Sequence, residues 1–226
     1  MFRSPVRGLA GLFVLLPLAV LLACHATSAT VNIPSPTVDD PLVAAPGQQT
    51  AVVAGGCFWG IQAVFEHVKG VISATSGYSG GAANTAQYEV VSTGRTGHAE
   101  SVQIIYDPSQ ISYGRLLQVY FSVAHDPTQL NRQGPDEGTQ YRSAIFYANN
   151  EQKRIAEAYI DQLDQAKIFR RPIVTKVVAF DAFYPAEAYH QGYADKHPDN
   201  PYIATYDLPK VADLRKGFPN LYVGKD

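Results

Sequence analysis

Between residues 50 and 180 the apolar positions of the chain change period again and again, and this order restricts the fold more than any other feature. Residues 50–54 form a short β-type run closed by Gly55-Gly56, and from Cys57 the spacing turns helical through Ile61, Val64, Phe65 and Val68. Residues 71–78 and 101–106 alternate like strands, 113–123 return to helical spacing, and 143–147 are strand-like again. The clearest amphipathic helix covers 150–166, and 173–180 is the last convincing strand. Strands interleaved with three helices predict an α/β (α+β) fold. The expected form is a two-layer sandwich of helices on a mixed β-sheet, with a ferredoxin-like core and long functional loops. Those loops are 77–97 and 125–140, glycine-rich and polar, and longer than a plain connection requires.

The first residues stand apart. Residues 1–23 carry Arg3 and Arg7 ahead of an uncharged, largely apolar run over 8–22, the layout of a secretory signal peptide and too short to span a bilayer comfortably. The run ends in Leu21-Leu22-Ala23-Cys24, which resembles the lipobox of bacterial lipoproteins; cleavage near Ala26 or Ala29 is the competing reading. Residues 24–48, with Pro34, Pro36, Pro41 and Pro46 and no apolar period, read as a flexible linker, which leaves 49–226 as one globular domain. Such a chain is expected to be exported, either periplasmic or a membrane-anchored lipoprotein whose only membrane contact is a lipid at Cys24. Without the signal the charge is 16 − 20 = −4, which gives no electrostatic footprint for nucleic acid. A monomer is expected, although nothing in the sequence fixes the oligomeric state.

Exported proteins tend to use thiols in pairs, yet beyond Cys24 this domain has Cys57 alone. Its place after a glycine turn, at the opening of a helix, puts the sulfur near unpaired N–H groups and favours the thiolate. The helix dipole contributes about 0.3–1 kcal/mol, or about 0.2–0.7 pKa unit, too little to make a strong nucleophile unaided. The alternative is a small buried apolar residue. Phe58 and Trp59, the only tryptophan, are either core aromatics or an apolar wall for a small ligand group. Glu100 opens a strand-like segment and by itself fits a solvent-facing position, and Asp136 fits the turn chemistry of Gly134-Pro135-Asp136-Glu137-Gly138. The His-Glu-x-x-His and calcium-loop patterns do not occur, and no metal or bound cofactor is expected.

In combination these segments resemble one family. Gly56-Cys57-Phe58-Trp59, Thr75-Ser76-Gly77-Tyr78-Ser79-Gly80-Gly81, Tyr88-Glu89-Val90-Val91 and Thr96-Gly97-His98-Ala99-Glu100 come in the order seen in the type A peptide methionine sulfoxide reductases. Asp107-Pro108, Gly138-Thr139-Gln140-Tyr141-Arg142-Ser143 and Ala186-Glu187-Ala188-Tyr189-His190-Gln191 continue it. The resemblance implies reduction of the S epimer of methionine sulfoxide, free or in oxidised proteins and peptides. Cys57 would attack and Glu100 would act as the catalytic carboxyl. Tyr88 and Tyr141 would flank the sulfoxide oxygen, Phe58 and Trp59 would hold the S-methyl group, and Asp136 would accept a hydrogen bond from the substrate amide. A sulfoxide is a poor electrophile until its oxygen is hydrogen-bonded or protonated, so Glu100 has to carry its proton when substrate binds.

Many relatives resolve the resulting sulfenic acid with further cysteines near the C-terminus, and residues 217–226 contain none. The implication is a one-cysteine enzyme recycled by an external thiol, a thioredoxin-like protein or a small molecule. His98 and His190 are read as structural, with Tyr189-His190 bracing the pocket. Two rival functions remain open on the residues alone. One is a cysteine hydrolase or acyltransferase using Cys57 with His98 or His190, and the other a surface-anchored binding protein.

Overall fold

The computed structural model describes Met1 and residues 33–224. The expected signal peptide and Cys24 lie outside the described residues. In chain order the elements are β1 (Gln49–Ala54), α1 (Phe58–Glu66), β2 (Val71–Ser79), α2 (Tyr88–Val91), β3 (Ala99–Tyr106), α3 (Tyr113–Val119), β4 (Arg132–Gln133) and β5 (Asp136–Glu137). They continue with β6 (Ala144–Tyr147), α4 (Asn150–Gln165), β7 (Lys176–Ala179), β8 (Phe183–Pro185), α5 (Tyr193–Lys196) and α6 (Leu208–Gly217). The sheet runs β7-β6-β1-β3-β2-β8, antiparallel throughout except for the β6–β7 pair. Within it β1α1β2β3α3β6 gives the order β6-β1-β3-β2, the ferredoxin-like core expected from the sequence.

Alternation along each strand sorts side chains between two faces. Ala51 and Val53 of β1, with Val102 and Ile104 of β3, join the main core under α1, α3 and α4. Val52, Ala54, Ala99 and Phe146 face a smaller cluster closed by Val178, Phe180 and Phe183. Helix α1 is buried almost all round, because Ile61, Val64 and Phe65 meet the sheet side while Ala63 packs with Ala194 and Ile203. Each such side chain contributes about 1.5–3 kcal/mol of apolar burial. Helices α3 and α4 start at side-chain caps: Ser112 Oγ accepts from the Arg115 N–H (3.2 Å) and Asn149 Oδ1 from the Gln152 N–H (2.9 Å). The expected helix over 113–123 ends α-helical geometry at Val119 and continues as a π-helical turn, Tyr120–Ala124. No described helix is long and apolar enough to cross a membrane.

One expectation needs amending over its described part. From Ile33 to the start of β1 the proline-rich segment has no regular element, as its composition requires, but it is pinned to the domain rather than free. Ile33 is buried in the main core, and its carbonyl accepts from Gln118 Nε2 (2.9 Å). The Pro34 carbonyl accepts from the Tyr159 hydroxyl (2.7 Å), and the Asp39 carboxylate accepts from the Ser112 hydroxyl and the Gly114 N–H (2.5 and 2.7 Å). Gly47 N–H donates to Asp107 (3.2 Å). Proline removes backbone donors, so an extended proline-rich segment adheres mainly through its carbonyls and side chains.

Candidate active site

Strand β1 ends at Ala54, and the chain turns through Gly55 and Gly56 to Cys57, the residue that precedes the first turn of α1. Both glycines are required here. A Cβ on Gly55 would lie 2.7 Å from the His125 ring, and Gly56 has φ +100° in the left-handed region. A buried polar group fixes the turn from behind. The Tyr120 hydroxyl donates to the Ala54 carbonyl (2.6 Å) and lies 3.0 Å from Ser143 Oγ, which His125 Nε2 meets at 2.7 Å. Burial pushes His125 down to about 4, so its ring is neutral.

Cys57 is 8% exposed, nearer to the small buried residue of the alternative reading than to an open thiol. Burial raises its pKa well above the ordinary value, and the charges of Glu100 and Asp207 raise it further. The Trp59 N–H bonded to the sulfur and the Lys210 ammonium act in the opposite direction. Desolvation outweighs the helix terminus, so the resting thiol keeps its proton. The same burial decides the state of its neighbour. Glu100 is 2% exposed and accepts from the Phe58 N–H at 3.0 Å. Burial, with smaller contributions from Asp136 and Asp207, pushes its pKa up to about 8 against the pull of that N–H, so the carboxyl is protonated at neutral pH.

Register explains why a glutamate points inward. Ala54 pairs with Ser101, which brings the end of β1 beside the start of β3, and Glu100 shares the face of Val102 and Ile104 on which α1 packs. Tyr88, the first residue of α2, and Tyr141, the last of a 3₁₀ turn (Thr139–Tyr141), are both half-buried. Burial first, then the nearby Glu100 and Cys57, raises the pKa of both phenols, so each is a neutral donor. Asp136 lies on β5 rather than in a simple turn. Its carboxylate already accepts a short hydrogen bond from the Tyr202 hydroxyl, and burial raises its pKa. Phe58 is buried within α1, with ring centroids 5.9 Å from Tyr78 and 5.0 Å from His190. Trp59 remains half-buried: its ring stacks on Tyr193 (3.9 Å, 14°), and its indole N–H donates to His190 Nδ1 at 3.1 Å. All seven residues singled out from the sequence therefore belong to one neighbourhood around Cys57 and Glu100.

The second wall of the site, formed by residues 187–210, went largely unread in the sequence. Glu187 accepts from the Tyr78 hydroxyl and from the Tyr88 N–H (both 2.9 Å), which holds α2 in place. Asp207 is fully buried at the end of a π-helical turn (Ile203–Asp207). It meets Lys210 Nζ at 3.1 Å, and both lie where a Cβ on Gly60 would be. One signal did exist: Asp207-Leu208-Pro209-Lys210 sets an acid three residues before a base, with proline in the first helical turn. Among the described residues no group of three or more His, Cys, Asp or Glu is arranged to hold a metal. The arrangement provides a nucleophile, a neutral carboxylic acid, two neutral phenols and an apolar wall. That set suits attack on a small ligand that is apolar at one end and carries a hydrogen-bond-accepting oxygen at the other.

The profile of the family described as peptide methionine sulfoxide reductase matches residues 49–220. The chain is 64% identical over 182 residues to the peptide methionine sulfoxide reductase MsrA 2 of Mesorhizobium japonicum, covering 80% of this chain and 93% of that protein. It is 55% identical over 188 residues to the protein of that name in Synechocystis, covering 82% and 88%. Among solved structures, the methionine sulfoxide reductase A of Corynebacterium diphtheriae superposes with a TM-score of 0.58 at 34% identity, over 76% of this chain and 90% of that one. Reduced Mxr1 from Saccharomyces cerevisiae superposes at 0.62 and 30% identity, over 75% and 96%.

Proposed function

The chain belongs to the peptide methionine sulfoxide reductase family, so its reaction is the reduction of methionine sulfoxide in protein repair, and we propose that it takes the S epimer by direct attack of the Cys57 sulfur. The observation that carries this reading is the buried Glu100 carboxyl beside a buried thiol, with no cation among the groups acting on the acid, so that burial favours its protonated form. Glu100 gives its proton to the sulfoxide oxygen as the Cys57 sulfur attacks, and recovers a proton from the thiol. The S–O bond of the substrate breaks and an S–O bond to the Cys57 sulfur forms in its place, so that methionine leaves and a sulfenic acid remains at Cys57. The cysteine sulfur is thereby oxidised by two electrons and the sulfoxide sulfur reduced by two. Tyr88 and Tyr141 hydrogen-bond the oxygen during the transfer, and Phe58 with Trp59 receives the methyl group, so oxygen and methyl have separate places and one epimer is favoured. Asp136, held by Tyr202, is the acceptor for the substrate amide.

Cys57 is the one free cysteine among the described residues. Its sulfenic acid is reduced by external thiol in two steps: one thiol forms a mixed disulfide with loss of water, and a second releases Cys57. A thioredoxin-like protein or a small thiol serves, and no bound cofactor takes part. Export and lipidation at Cys24 belong to the same reading and rest on residues 1–24 of the sequence. The test is stoichiometric. Reduced protein incubated with resolved S-sulfoxide and no reductant is to give one methionine and one sulfenic acid at Cys57 per enzyme. A Cys24–Cys57 disulfide found by intact mass would overturn both the one-cysteine cycle and the lipid anchor. No methionine at all would overturn the attack itself.

A further inference from the structure

We infer that His190 is a positioning residue for epimer selectivity: by holding the indole N–H of Trp59, it keeps the methyl-binding wall free of any donor able to compete for the sulfoxide oxygen. The inference rests on the stereochemical reading above. Its starting point is the hydrogen bond from Trp59 Nε1 to His190 Nδ1 at 3.1 Å. An indole nitrogen only donates, so Nδ1 must be the unprotonated nitrogen of the ring, and the proton of a neutral His190 sits on Nε2. Nε2 makes no hydrogen bond, and the nearest carboxylate oxygen, on Glu187, is 3.8 Å away. A buried polar atom left without a partner is unusual, and here it leaves Nδ1 as the nitrogen committed to the indole.

The surroundings hold this geometry from several sides. His190 is 1% exposed, with its ring 5.0 Å from Phe58, 4.5 Å from Tyr88 and 4.2 Å from Tyr189 between centroids. The stack on Tyr193 covers one face of Trp59, and the edge contact with Tyr202 limits its tilt. The indole N–H is the single polar hydrogen of the Phe58–Trp59 pair of side chains. Satisfied by His190, it makes the pair wholly apolar, so the methyl side offers the oxygen no side-chain donor from Phe58 or Trp59. Released, it would offer a hydrogen bond on the methyl side, and the epimer bound with methyl and oxygen exchanged would no longer be refused.

The test is the ratio of kcat/KM for resolved S and R methionine sulfoxide, with the full chain and excess dithiothreitol. His190→Leu removes the acceptor and is expected to lower the S/R ratio about tenfold, while His190→Asn, which retains an acceptor oxygen, recovers most of it. Trp59→Phe removes the donor. Both rates fall, the ratio stays within threefold of wild type, and adding His190→Leu in that background changes the ratio no further. A merely structural histidine would lower both epimers alike and act equally in either background, and that result overturns the inference. A wild type with no preference between epimers overturns the stereochemical reading itself; a selective wild type with an unchanged ratio in His190→Leu overturns the inference alone. Because Trp59 is the only tryptophan, the wild type also supplies a readout independent of any variant. Its one indole N–H proton resonance is expected downfield and slow to exchange with solvent, and a fast-exchanging, unshifted signal contradicts the hydrogen bond.

Discussion

Glu100 and Asp207 are both carboxylic acids with almost no exposure, and both act on the Cys57 thiol, yet they are built for opposite ends. Glu100 is partnered by a backbone N–H and by no cation, so burial leaves it neutral up to about pH 8. Asp207 is also raised by burial, but Lys210 pulls against that rise through both charge and a 3.1 Å hydrogen bond. A buried acid without a counter-ion stores a proton, whereas one beside an ammonium is held towards the ionised form. The first kind is suited to deliver a proton to a sulfoxide. The second ties α6 beneath α1, at the point where Gly60 leaves room for it.

The contrast breaks most directly at Glu100. Glu100→Gln retains an acceptor for the Phe58 N–H but has no proton to give, so kcat is expected to fall about 10²–10⁴-fold with no loss of melting temperature. Steady-state turnover beside thermal unfolding checks it, and activity within tenfold of wild type would make the two acids equivalent. Next in size is the pH dependence. Wild-type kcat/KM should fall about tenfold per unit above about pH 8, as Glu100 of the free enzyme ionises, and this limb should be missing from the residual activity of Glu100→Gln. Stability carries the same sign. Folded Glu100 binds its proton more tightly than the unfolded chain, so its contribution is intact below the usual carboxylate range and is lost as pH rises towards 8. Against Glu100→Gln, wild type should lose on the order of a few kcal/mol between pH 4.5 and 9 in denaturant titrations.

Asp207→Asn should reverse the pattern. Unfolding free energy is expected to drop by about 2–3 kcal/mol, less than for a fully buried pair because Lys210 reaches solvent, or roughly 5–10 °C in Tm. Its kcat should remain within tenfold of wild type; a loss as large as that of Glu100→Gln would move Asp207 into the chemistry. The smallest effect is assigned to His98→Ala. His98 is buried against β2 and meets the Ala82 carbonyl at 3.0 Å, outside the group that surrounds Cys57. Turnover should change less than about threefold, and a collapse of activity would bring His98 into the reductase chemistry.

The same two acids mark what the sequence reveals. Glu100 is legible only through the motifs it shares with the family, since by itself it fits a solvent-facing position; the register of β3, which sets it on the face of Val102, Ile104 and Tyr106, is what turns it into the core. The β1–turn–α1 unit is legible directly, since its period changes at Gly55-Gly56. Asp207, Tyr202 and Lys210 are not, because short elements and two π-helical turns take their shape from tertiary contacts rather than from local periodicity. For Cys57 the small contribution of the helix terminus is legible, but the burial that raises the thiol well above its ordinary value is not, because it comes from tertiary packing.

The anchored segment ahead of β1 also redraws the lower limit of the folding unit. Similarity to the family profile begins at Gln49, yet a cut there would strip the apolar cover from the α3–α4 side and leave Gln118, Tyr159, Ser112 and Gly114 without their acceptors at Ile33, Pro34 and Asp39. The chain therefore enters the domain at Ile33, at a fixed spot beside those two helices and at the edge of the packed body, and not at the mouth of the first strand.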